Sequence, residues 1–174
     1  MIKKLLFASI IICLFLIVGC NAPIKHSDDF NLIFTYGIGA NTLDTFNNTY
    51  TRDMITDANI TIDLYLSQEE MDAIYEKMIE IDFFNYPDVF SRYVPEGSIV
   101  GERTPYFSYY FKVAYDSYVK ELTWNDNIRS VLIRGEYITD DKVDKLKSLT
   151  QLITHIIESK EEYKKLPEPR GGYQ

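Results

Sequence analysis

Two cysteines, two histidines and 26 carboxylates are the side chains most able to do chemistry, and spacing gives a definite reaction to one of them. Cys20 closes the run Ile17-Val18-Gly19-Cys20. Ahead of it lies an apolar stretch from Leu5 to Val18, broken only by Ser9 and headed by Lys3 and Lys4. A positive head, a short apolar middle and a small residue before the cut are the layout of an export signal. A cysteine directly after that small residue resembles the lipobox, in which the sulfur takes a diacylglyceryl group and the chain is cut ahead of it. The apolar stretch is shorter than the roughly 18–20 residues that span a bilayer, so residues 1–19 read as a removable signal. Two acyl chains, at roughly 0.8 kcal/mol per buried CH₂, hold a protein on a membrane where one does not. Cys20 is the one site residue the sequence nominates.

The other candidates fall to their surroundings. Cys13 leaves with the signal, so the exported part has no disulfide, thiol nucleophile or thiolate metal site. His26 sits in a polar tether over 20–29. His155 lies about 180° from Leu146 at 100° per residue, on the solvent side of a helix, so it reads as a surface histidine and not a base in a pocket. Gly37-x-Gly39 lacks the third glycine of a dinucleotide fingerprint and reads as a turn. Asp44, Asn47, Asn48, Asp53 and Asp57 supply the oxygens that calcium prefers. Phe46 stands where a second ligand belongs, and the segment reads as a solvated loop with some strand content. No metal and no cofactor are expected. Asp72, Glu76 and Glu80, four apart, form either a solvated acidic face or a docking stripe for a basic partner.

Charge narrows the partners. The formal net charge is −8, and about −10 once Lys3 and Lys4 leave. Phosphate backbones and anionic headgroups repel such a domain, which excludes nucleic acid and leaves the lipid at Cys20 as the membrane contact.

The elements that must position any site follow from periodicity. Roughly 155 residues remain after the signal, one domain's worth. Phe30, Leu32, Phe34 and Tyr36 alternate as a strand, with Thr42 to Phe46 returning as its hairpin partner. Ile60, Ile62, Leu64 and Leu66 alternate as another. Ser67-Gln68-Glu69-Glu70 is a capping box, and Met71, Ile74, Tyr75, Met78 and Ile81 form the buried stripe of the helix it opens. Residues 88–105, rich in proline, glycine and charge, read as one long connection. If Asp116-Ser117 is a two-residue turn, Phe111 faces Leu122, Tyr109 faces Trp124 and Lys112 faces Glu121; a one-residue slip would spoil both faces. That register puts Tyr106 and Tyr110 on the outer face as a contact surface beside the 88–105 connection. Residues 128–137 suit a short strand or a helical turn. Thr139 can cap a last helix, whose stripe is Val143, Leu146, Leu149, Leu152, Ile153, Ile156 and Ile157. The class is α+β: an antiparallel sheet (hairpin, strand, hairpin) with two amphipathic helices on one face, a single domain over 30–165 and a C-terminal tail over 166–174.

Two stretches carry a resemblance: Ile74-Tyr75-Glu76-Lys77-Met78 running on to Phe83-Phe84-Asn85-Tyr86-Pro87, and Leu166-Pro167-Glu168-Pro169-Arg170-Gly171-Gly172-Tyr173. They are similar to a group of uncharacterised lipoproteins from low-GC Gram-positive bacteria, over most of the chain from Phe30 on. The resemblance brings no activity and no functional residue beyond Cys20, which rests on its own motif. The expected function is a surface lipoprotein on the extracytoplasmic face of the cell membrane, a non-catalytic binding module for a protein or envelope partner. The alternative is a cell-envelope hydrolase working through acidic residues.

Cys20→Ser should leave a precursor that is neither lipidated nor cut at that site. Metabolic labelling with a fatty acid should mark the wild type alone, and equal labelling of both would sink the assignment.

Overall fold

The computed structural model describes residues 29–173. The export signal, Cys20, His26 and all of the tether but Asp29 lie outside them. Eight strands make one sheet: β1 (Asn31–Gly37), β2 (Asn41–Asp44), β3 (Thr49–Arg52), β4 (Ile60–Asp63), β5 (Val89–Phe90), β6 (Ile99–Tyr115), β7 (Tyr118–Ile133) and β8 (Glu136–Tyr137). Their order is β4-β3-β2-β1-β6-β7-β5, with β8 also on β7. Every pairing is antiparallel except the two-residue contact of β5 with β7.

The period-two pattern sorts the faces. Leu32, Phe34, Phe111, Val113, Leu122 and Trp124 are 0–1% exposed. They join one core with Ile74 and Met78 of α1 (Gln68–Glu80) and with Val143, Leu146, Leu149 and Ile153 of α2 (Asp141–Ser159). A short α3 (Glu161–Lys164) follows. Both long helices cover this face, the α+β arrangement expected. The alternate residues, Ile33 and Thr35 with their partners Lys112 and Tyr110, face the other way.

Helix α1 starts as its sequence requires: Ser67 Oγ accepts from Glu70 N–H, and the Glu70 carboxylate accepts from Ser67 N–H at 2.7 Å. The α2 cap is shifted by one residue from expectation. Asp140, not Thr139, accepts from the amides of Lys142 and Val143, because a carboxylate at the positive helix end gains charge attraction as well as a bond.

The β6–β7 register is the expected one, with Phe111 opposite Leu122, Tyr109 opposite Trp124 and Lys112 opposite Glu121. One other expectation changes, that for residues 88–105, and two are made definite. The Asp44–Asp57 stretch holds a whole strand, β3. The 88–105 connection is half strand, since β6 begins at Ile99. Residues 128–137 are strand on both sides of the Arg134-Gly135 turn. Leu166 to Tyr173 lies along the far end of the sheet. The Arg52 guanidinium donates to the carbonyls of Leu166 and Pro167, Thr56 donates to Arg170 O, Arg170 pairs with Asp57, and Tyr173 donates to Asp53.

Asp116 (φ 42°) and Ser117 (φ 69°) are both left-handed, as a two-residue hairpin turn of matching twist requires. Glycine at 117 removes a cost of about 1–2 kcal/mol and returns about 0.4–1 kcal/mol of unfolded-chain entropy. Ser117→Gly should therefore raise the urea midpoint by the equivalent of about 0.5–1 kcal/mol at unchanged slope. A lower midpoint would show that the serine side chain itself holds the turn.

Candidate functional site

Strand β1 stops at Gly37 opposite Ser108, while β6 and β7 run on together. At that step the inner face of the sheet emerges from beneath α2. Tyr36 at the end of β1, Phe107 and Tyr109 on β6, and Thr150, Gln151, Thr154, His155 and Glu158 on α2 enclose a cleft of about 400 Å³. One side is aromatic. Tyr109 stacks on Trp124 at 4.9 Å between centroids, and Phe107 continues the row at 6.4 Å from Tyr109. The other side is polar, because Gln151, Thr154, His155 and Glu158 fall three and four residues apart and so share one helix face.

A second cleft of about 260 Å³ shares Tyr36 and Glu158 with the first and is closed by Pro169 and Tyr173 of the tail. Its floor is a hydroxyl network, with Tyr36 and Tyr50 joined at 3.0 Å and Tyr50 reaching Asn41 Oδ1. Arg52, only 5% exposed, lies over the Tyr163 ring at 4.3 Å. Burial, followed by the neighbouring Tyr50, pushes the Tyr36 phenol far above its ordinary value. Burial likewise raises Tyr109, and the charge of Asp126 adds to it. Asp126 is itself nearly buried, held by Arg103 and by Lys147 at 3.4 Å.

The residues singled out in the sequence are scattered. Tyr110 is half-buried opposite Thr123, whereas Tyr106 is exposed within an irregular stretch where the register resumes only at Phe107. Of the acidic stripe, Glu80 is paired with Lys77 at 2.8 Å, and Asp72 accepts from Gln68. The oxygen-rich segment spends its carboxylates on turns. Asp44 accepts from the amides of Phe46 and Asn47; Asp53 accepts from those of Ile55 and Ala40. His155 is exposed as expected, yet it stands on the rim of the first cleft. The cleft as a unit was missed. The sequence carries only the inward ring alternation of β6 out to Phe107; that this ring stands one position past the end of β1 at Gly37 follows from the strand pairing.

A phenol whose ionisation the fold holds back adds stability that is full below its unfolded value and is lost as pH rises through the folded one. For Tyr86, raised by burial and then by Asp141, the window runs from pH 10.0 to about 12. Tyr173 shares that window through burial and its bond to Asp53. Stability should fall across this range, with a late subset of tyrosines in the ultraviolet titration and a smaller loss in Tyr86→Phe. Uniform ionisation near pH 10 without loss of structure would contradict the network. No protein-family model matches this chain, and no curated protein matches it.

Proposed function

We propose that the chain is a lipid-anchored binding module on the extracytoplasmic face of a bacterial membrane, tethered through Cys20 and presenting the cleft of Tyr36, Phe107 and His155 to an envelope partner. One observation carries the reading. The core aromatics Phe34, Phe111 and Trp124 are 0–1% exposed, but the same row ends on Phe107 at 44% exposed. Open aromatic surface facing convergent polar groups is the usual composition of a ligand pocket. Tyrosine adds contact area at little cost in side-chain entropy. The net charge of −8 turns away polyanions, consistent with a partner that is not nucleic acid.

Binding, as opposed to hydrolysis, is supported by the occupations of the carboxylates. Asp44, Asp53, Asp57, Asp126 and Asp140 each hold a turn, a tail, a cation or a helix start. A carboxylate already engaged by structural donors is poorly placed to shuttle protons to a substrate.

Photocross-linking on intact cells tests the site. A benzoylphenylalanine placed at Gln151, on the polar wall, should give adducts that disappear when Phe107→Ala is added. The same probe at Tyr65, which is 64% exposed on another part of the surface, should give none. Equal yields from the two positions, or no adduct from 151, would remove the cleft as the contact site.

A further inference from the structure

We infer that the occupant of the cleft is a neutral oligosaccharide; this rests on the cleft being the binding site. Three observations converge on that chemistry. The first is the form of the aromatic side. Trp124, Tyr109 and Phe107 make a row of near-parallel rings, inclined by 19° and 28° to one another, and the row runs out at the half-exposed Phe107. A row of this kind is extended by one more flat ring. It does not close around a point, as the rings that cage a quaternary ammonium do.

The second observation is the polar wall. Gln151, Thr154, His155 and Glu158 follow one another along α2 beside the ring row. A purely aromatic ligand would satisfy the row and leave that wall unanswered. A pyranose has both parts: apolar C–H faces to lie on a ring and a rim of hydroxyls to exchange hydrogen bonds with amide, hydroxyl, imidazole and carboxylate. Such groups can donate to, or accept from, a hydroxyl without any change of charge.

The third is that, among the described residues, neither lysine nor arginine lines the first cleft and Glu158 is its one carboxylate. In the second cleft Arg52 is already bonded to two tail carbonyls, and Asp53, Glu158 and Glu168 outnumber it. An anionic ligand would meet net repulsion. The two clefts also adjoin across Tyr36 and Glu158, which gives a ligand site longer than a single sugar ring and points to an oligomer.

The chain's single tryptophan provides the readout, because Trp124 stacks on Tyr109 and a ligand added to that row alters its fluorescence. The full chain, in a detergent without a sugar headgroup, is titrated with N-acetylglucosamine tetramer, cellotetraose and maltotetraose. Their monosaccharides and a tetralysine peptide serve as comparators, with calorimetry run in parallel. The expected result is saturable binding of at least one tetrasaccharide, about tenfold or more tighter than its monosaccharide. Phe107→Ala should weaken that binding about tenfold, and Gln151→Ala, at an exposed helix position, should weaken it without altering the melting temperature. No heat and no fluorescence change with any saccharide overturns the inference, as does binding of tetralysine alone or binding untouched by both substitutions. If cross-linking from position 151 succeeds while every saccharide fails, the ligand class is wrong and the binding site stands. If both fail, both readings fall.

Discussion

Side chains on a strand alternate faces, so a single-residue slip between β6 and β7 would turn Phe111, Val113, Leu122 and Trp124 out of the core together. The rest of the molecule depends on that register holding. Residues 107–115 and 118–126 place the aromatic row that α1 and α2 bury, and β1 adds Leu32 and Phe34 to the same face through its pairing with β6. The outer face agrees with that alignment, since Lys112 stands opposite Glu121 only in this register. A ladder with content on both sides has no cheap alternative, and it carries the position of Phe107 with it.

This double content made the register of the hairpin legible from sequence, whereas β3 and the first half of β6 were not. Strand β3 was hidden because its inward residues are Tyr50 and Arg52, and both end in polar groups. The ring of one and the stem of the other are buried, while the hydroxyl and guanidinium find partners in Tyr36 and the tail carbonyls. A hydropathy pattern cannot register residues that bury their bodies and bond their tips. The first half of β6 was hidden by Gly101 and Pro105, which read as breakers. Pro105 is tolerated because it falls between Glu102 and Phe107, where the β6–β7 register is interrupted and β1 has already ended, so a missing N–H breaks no ladder bond. The cleft escaped for a different reason: it is made by a difference in length between neighbouring strands, and length differences appear only once the strands are aligned.

The Gly37-Ile38-Gly39 turn shows how local chemistry and long-range contact combine. Gly37 takes the left-handed conformation at φ 105°, open to glycine at no steric cost. Gly39 leaves room for the tail, since a Cβ there would displace the Asp53 carboxylate and the Tyr173 hydroxyl from where they meet. The turn that ends β1, and so opens the cleft, is therefore also the seat of the C-terminal tail. Residues more than a hundred positions apart meet at one carboxylate, Asp53, which accepts from Ala40, Ile55 and Tyr173.

The direction of β1 has a consequence for how the molecule would stand on a surface. Asn31, where the strand begins, pairs with Ala114 beside the Asp116–Ser117 turn, while Tyr36 and Gly37 at its other end adjoin the cleft. Seven residues of strand separate the two ends by roughly 20 Å. On the proposed anchoring, the leash joins the body at the hairpin-tip pole and the mouth opens at the opposite pole. The mouth then lies at the end of β1 remote from the point of attachment.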